Sequence, residues 1–455
     1  MSHSKVLNTF ALAMINVAAI FSLRNLPLAA EYGISSIFFF LLAAVLFLIP
    51  SALVCAELAS AWPGPGGLYH WVKIALGKRY AYIAIWAGWM LSIVWFPTIL
   101  SFCATFLAWS IDPSLADNVG YMIGLMMALL WGTTFVNFLG MRASSWVSTV
   151  GVLLGTIFPT VLLILGVVIW WLKGLPIAVE LEWTAILPEM RWSHWVFLAG
   201  IILSFEGMEI TAYHVKDTIN PQRQYPKALA ISVVMILLLS IVGTLAVAAI
   251  LPNQDIHLVS GIVQVFSQVH SVLGLSHLLW VTTGLIFLGV VSTLNSWVIG
   301  PAKGILAAYD DGFLPNWLSK TNSQDVPICT LLFQAIIGSI LICILSVLPS
   351  VQSFYWFFTL VSVQLTLVMY ALIFIAYIKL RHQSSTEGGA FYVPGKRMPF
   401  VVSGIGLISC VAIFFLGFIP PEQLMVDNLL NYELMLVFGL AIFMLPAIAS
   451  ISRQK

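Results

Sequence analysis

The sequence predicts an all-α integral membrane protein of about twelve transmembrane helices, and three observations predict it. Charged residues make up 8% of the 455-residue chain, where a soluble domain carries about 25%. Apolar residues make up 61% and the mean hydropathy is +1.02, more than a water-soluble globule can bury but suited to a bilayer, which is itself the apolar solvent. Apolar runs of bilayer length recur along the whole chain, and the basic residues between them fall in alternate loops.

A spanning helix needs about 20 mostly apolar residues. Such segments lie at 6–31, 34–60, 81–110, 120–138, 145–172, 193–214, 226–251, 277–308, 327–348, 353–380, 399–419 and 432–452. The first, from Val6, has no charged leader and no small-residue cleavage site, so it reads as a retained span. The longest hydrophilic loops, around 63–80, 173–192, 215–226, 309–326 and 381–398, leave no room for a soluble domain. Segment 258–274 repeats Leu258, Val259, Ile262, Val263, Phe266, Val269 and Leu273 at helical spacing. It reads as a helix at the interface or over the mouth of the protein.

With the N-terminus inside and twelve spans threaded, the inner side receives Lys5, Lys73, Lys78, Arg79, Arg142, Lys216, Arg223, Lys227, Lys303, Lys320, Lys379, Arg381, Lys396, Arg397, Arg453 and Lys455. The outer side receives Lys173 and Arg191, and Arg24 stays within the membrane. The positive-inside rule then puts both termini in the cytoplasm, and the cell inner membrane is the expected location. A net charge of +1 and the lack of a basic run speak against a nucleic-acid partner. Cys55, Cys103, Cys329, Cys343 and Cys410 all lie in apolar stretches without zinc-type spacing. They read as small hydrophobes, and no metal or cofactor is expected.

The chemistry concentrates in two interrupted spans. The first reads Ala18-Ala19-Ile20-Phe21-Ser22-Leu23-Arg24-Asn25-Leu26-Pro27, and the sixth Leu203-Ser204-Phe205-Glu206-Gly207-Met208-Glu209-Ile210-Thr211. Interrupted helices at matching places in two halves of a chain point to a transporter's binding site. Spans one and six each open a set of five, as in a five-plus-five inverted repeat of residues 1–172 and 193–381, with 399–452 forming two peripheral spans. A charge at the bilayer centre costs about 2.5–3.5 kcal/mol even on lenient scales. Arg24, Glu206 and Glu209 should therefore face the interior. Two readings coexist: a structural ion pair, and a site at which at least one of the three meets substrate or a coupled proton. Arg24 and Glu206 are expected close together, as a pair for which a zwitterion can compete.

Two further clusters lie on the inner side. Glu57 precedes Trp62-Pro63-Gly64-Pro65-Gly66-Gly67-Leu68-Tyr69-His70-Trp71, and Tyr309-Asp310-Asp311-Gly312-Phe313-Leu314-Pro315 follows span eight. With Gly207-x-Glu209, Asn220-Pro221-x-x-x-Tyr225-Pro226, Gly300-Pro301-x-Lys303-Gly304 and Val393-Pro394-Gly395, these motifs resemble the amino acid–polyamine–organocation transporters over essentially the whole chain. Within that superfamily the stretch from Leu203 to Pro226, and Trp297 to Pro301, are most similar to the glutamate/GABA antiporter group. The resemblance implies a LeuT-like core of ten helices plus two. It also implies a site at the two breaks, where backbone groups take the substrate's carboxylate and amine. The expected substrate-binding residues are Ala19, Ser22, Arg24, Asn25, Ser204, Phe205, Glu206, Gly207, Glu209 and Trp297. Arg24-Asn25-Leu26 and Glu206 depart from that group's usual residues. The chain ends at Lys455, so the group's long C-terminal plug, and acid gating by it, are not expected.

The expected function is secondary active transport, by antiport, of amino acids or related amines such as glutamate- and GABA-like solutes. Proton-coupled symport is the alternative. A channel would show filter loops or rings of like charge, and an embedded enzyme a nucleophile–base or metal set; neither is visible. An ATP-driven pump would need a Gly-x-x-x-x-Gly-Lys-Ser/Thr loop, which the sequence lacks. His70 and His214 are candidate pH-sensing groups, set against ordinary interfacial histidines. Lys303 lies about one turn from the cytoplasmic end, within snorkelling reach of it, and Asn16 is expected to serve packing or a gate.

Overall fold

The computed structural model describes residues 7–179, 183–188, 192–252, 261–346, 351–383, 391–419 and 429–453. Among them every regular element is helical, and the one β-type pairing is an isolated bridge between Leu7 and Thr218. Eleven stretches are long and apolar enough to cross a membrane: Thr9–Ala30, Gly33–Ala61, Lys78–Ile111, Val119–Asn137, Met141–Leu172, Pro221–Ile250, Ser276–Ala308, Ile328–Ser346, Phe357–Gln383, Met398–Leu416 and Leu429–Ser452. Each corresponds to an expected span. The twelfth expected span, at 193–214, is the sixth. It falls short of that criterion because it is split into a helix over Trp192–Leu203 and a 3-10 segment over Ile210–Asp217. Val6, Leu258, Val259 and residues 347–348 of the expected segments, with Lys5, Arg191 and Lys455, lie outside the described residues.

Helices dominate because a backbone without water must satisfy its polar groups within its own segment. Hydroxyls inside the spans do the same, as where Ser92 donates to the Trp89 carbonyl at 2.7 Å and Thr98 to that of Trp95 at 2.8 Å. Span three, Lys78–Ile111, is buried along most of its length and forms the central strut. Small and polar residues bring the spans together, as expected where lipid supplies no hydrophobic drive between helices. The Asn295 amide of span eight donates to the Ser144 carbonyl of span five at 2.9 Å, and Ser292 to that of Ser148 at 2.8 Å. A helix over Gly261–Val272 buries Ile262, Val263, Val265, Phe266 and Val269 against spans five, seven and eight. Of the two placements expected for this segment, it takes the packed one.

The two clusters expected on the inner side become latches. Glu57, wholly buried, accepts from the Tyr377 hydroxyl at 2.8 Å and the Val393 backbone at 2.7 Å, and lies 3.2 Å from Arg381 Nε. Arg381 also donates to the Val393 carbonyl at 2.6 Å. Ser60, one turn on, accepts from Phe391 N–H at 2.9 Å and donates to the Gln222 carbonyl at 3.1 Å. Spans two, seven and ten and the loop after span ten are thus tied at one point. Arg381→Ala should cost about 3–5 kcal/mol, because a lone buried charge is left behind. The thermal melt of the detergent-solubilised protein checks this, and Glu57→Gln in the same chain should recover part of the loss.

Gly67 has φ +52°, and a side chain there would meet the Ala212 backbone at 2.7 Å. The Pro/Gly run therefore seats directly on the 3-10 half of span six, Ile210–Asp217. It delivers Tyr69 and Lys73 to Asp311, each at 2.5 Å. Partial burial pushes the Asp311 carboxyl up, but hydrogen bonds from Lys73 and Tyr69 outweigh it and leave it below the ordinary range. Burial, and then the Lys73 charge, lower His70. It is therefore neutral near pH 7. Lys303 pairs with Asp217 at 2.8 Å.

Candidate functional site at the two helix breaks

Span one leaves the helix at Phe21 (φ −79°, ψ 124°) and Ser22 (φ −137°, ψ 133°) and resumes as a 3-10 turn over Leu23–Asn25. Pro27 sits in the first turn of the helix that follows, where its missing N–H is tolerated. Span six opens after Leu203 and restarts at Ile210. Between them Gly207 has φ +117°, and a side chain there would stand 3.0 Å from Ile20 and 3.4 Å from Trp297. A glycine is required both by conformation and by the close approach of the two breaks.

Each break is held by one aromatic side chain from another span. Trp297 of span eight donates its indole N–H to the Ala19 carbonyl at 2.9 Å. Tyr370 of span ten accepts from the Gly207 N–H at 3.0 Å and the Met208 N–H at 3.1 Å, and donates to Glu209. A phenol has one donor and two acceptor positions, so this hydroxyl is fully used. Glu209 is 1% accessible and turned to Tyr370, which makes it an anchor of the break.

The two remaining charges belong to the breaks themselves, Arg24 to the 3-10 turn after the first and Glu206 to the open stretch of the second. Arg24 donates to Thr98 at 3.4 Å and lies over the Trp95 ring, 5.5 Å from its centroid. Trp95 in turn sits 5.7 Å from Trp297. Glu206 is partly accessible, and its Oε2 is buried with no hydrogen-bond partner. The Thr366 hydroxyl of span ten reaches its carboxylate, which also feels the charges of Glu209 and Arg24; among the described residues no ion pair joins it to Arg24. Among the described residues the expected direct pair is not seen, and Thr98 and Trp95 of span three engage the guanidinium. Among the other expected residues, Ser22 accepts from the Arg24 N–H at 3.4 Å and Asn25 ends the 3-10 turn. Ser204 donates back to Ile201 at 2.6 Å, and Phe205 is wholly buried against Phe40. Sequence reasoning missed Tyr370, Thr98 and Trp95. A phenol in the middle of an apolar span needs a partner, and that signal was present for Tyr370.

The amino acid permease family model matches residues 7–441 of the chain. The chain belongs to the amino acid permease family. An uncharacterized transporter of Legionella pneumophila is 38% identical, covering 97% of this chain and 96% of its own length. A glutamate/gamma-aminobutyrate antiporter of Lactococcus lactis subsp. lactis is 29% identical, covering 97% of this chain and 89% of its own length. An aspartate/glutamate permease of Lactococcus lactis subsp. cremoris is 22% identical over 99% of this chain and 97% of its own length. As an amino acid permease family member the chain is a multi-pass membrane transporter, and the fold described above is the all-α fold of such a protein.

Proposed function

We propose that this permease exchanges small amino acids or related amines, of the glutamate and GABA kind, by alternating access around one site at the breaks of spans one and six. The observation that carries the reading is the pair of breaks, fixed by Trp297 and Tyr370, with Arg24 in the turn that follows the first break and Glu206 within the second. In this reading the solute's carboxylate turns to the guanidinium and its ammonium to Glu206 Oε2. Backbone groups around Ala19, Ser22, Asn25, Ser204, Phe205 and Gly207 complete the site, and Glu209 supports it through Tyr370. Residues 1–172 and 193–381 act as the two repeats, and 399–452 as the peripheral pair. The names of the Lactococcus relatives support the solute class, and the two-pole arrangement supports it independently.

Counterflow into proteoliposomes against a panel of labelled amino acids and amines tests the proposal. Uptake should saturate, and unlabelled solute inside should accelerate it several-fold. Uptake that depends on a proton gradient and ignores internal solute would favour symport, and unsaturated flux would rule out a carrier.

We also place both termini in the cytoplasm and the protein in the inner membrane, on the distribution of basic residues. A cysteine introduced at Ala178 should then react with an impermeant thiol reagent only from outside. Reaction only from inside would invert the topology.

A further inference from the structure

Below the breaks, the helical half of span one, Thr9–Ile20, runs beside Ile210–Asp217 of span six. The ends of this seam are fixed. Leu7 N–H donates to the Asp217 carbonyl and Ile219 N–H to the Leu7 carbonyl, both at 2.9 Å, while Gly207 abuts Ile20 at the other end. The two segments are therefore antiparallel. Asn16 stands one turn below Ile20, and with the ends paired in this way it lies near the level at which the 3-10 segment begins, at Ile210 and Thr211.

Along this seam three polar side chains have no hydrogen-bond partner. Both amide atoms of Asn16, the Thr211 hydroxyl and both ring nitrogens of His214 are buried without a hydrogen bond. The three residues are 0%, 1% and 1% accessible. Thr211 and His214 are three apart on the 3-10 segment, a spacing that sets side chains on one edge. The segment kinks at His214 (φ −100°, ψ 23°). His214 feels the charges of Lys303 and Asp217, the pair that closes the seam where it meets the basic side of the protein. A buried polar group left unsatisfied is expensive. Several in one seam call for a conformation in which they are met.

We propose that this seam opens during transport and that Asn16, Thr211 and His214 form a second station for the solute, between the central site and the basic face. The proposal rests on the exchanger reading above. The station's ligand class is a small zwitterion. A carboxamide, a hydroxyl and a neutral imidazole each donate and accept, so between them they can meet both the carboxylate and the ammonium. None of them need carry a charge to do so, in contrast to Arg24 and Glu206. The station is accordingly a weak one that releases what it receives, as conduction through successive sites requires. Opening breaks the two Leu7 backbone bonds and the Lys303–Asp217 pair and leaves the Trp297 and Tyr370 supports of the breaks in place.

The test uses the full chain in proteoliposomes, with Cys329 and Cys343 replaced by Ser and either Thr211→Cys or Asn16→Cys introduced. A methanethiosulfonate reagent is applied to the face that carries the Lys303–Asp217 pair, with and without glutamate or GABA. Counterflow is measured on the same preparations. Both cysteines should react, and saturating solute should slow the reaction at least fivefold. If either variant fails to assemble, the other decides the question. No reaction at either position in a protein that still performs counterflow overturns the station and leaves the exchanger reading standing. So does reaction that solute does not slow. A parent protein that performs no counterflow with any amino acid or amine sinks the exchanger reading and the station with it.

Discussion

Arg24→Lys should leave the protein folded and lower solute affinity by about 10–100-fold. The guanidinium sits over Trp95 and reaches Thr98, so it is already oriented before solute arrives. A charge-assisted hydrogen bond is worth about 1.5–3 kcal/mol, and every 1.4 kcal/mol is a factor of ten. Lysine keeps the charge but supplies no planar fork for a carboxylate and does not stack in the same way. Binding measured on purified protein, beside its thermal melt, checks the result. Affinity unchanged with the melt also unchanged would make Arg24 a bystander. Because no ion pair among the described residues joins Arg24 to Glu206, Glu206→Gln should leave the melt nearly unchanged while changing which solutes bind.

Tyr370→Phe should produce the larger structural effect. It strips a donor from Glu209 and an acceptor from the Gly207 and Met208 N–H groups. Each orphaned buried group costs about 1–3 kcal/mol, so the loss is several kcal/mol, concentrated on the unwound segment. Counterflow should fall by about 100-fold or more, with a lower melting temperature, although the phenol need not touch solute. Trp297→Phe removes a single bond to the Ala19 carbonyl and should do less on both readouts. Equal effects from the two would mean that the breaks do not depend on these supports.

The class, the spans and both breaks were legible in the residues because lipid imposes simple rules. Apolar runs must be long, and interruptions at depth must be built for. Span six shows this most clearly: Glu206-Gly207-Met208-Glu209 announces the break, and the helix does stop at Leu203. What could not be read was which side chains from distant spans would meet the breaks. Tyr370 lies 161 residues from Glu209, and nothing local to either predicts their encounter. The same limit explains the Arg24–Glu206 expectation. Two opposite charges at one depth suggest a pair, whereas the contacts of the guanidinium with Thr98 and Trp95 on span three are visible only in the tertiary packing. The partner of Lys303, Asp217 on the rewound half of span six, was likewise not legible in the sequence.

The central claim is that one site between Arg24 and Glu206 reads both poles of the solute. Competition binding to purified protein tests it most directly, with GABA compared against butyrate, which lacks the amine, and butylamine, which lacks the carboxylate. The account predicts that each truncated ligand binds at least tenfold more weakly than GABA. In Glu206→Gln the preference of GABA over butyrate should collapse, while that over butylamine persists. Equal affinity of the wild-type protein for all three, or an unchanged preference in Glu206→Gln, would contradict it.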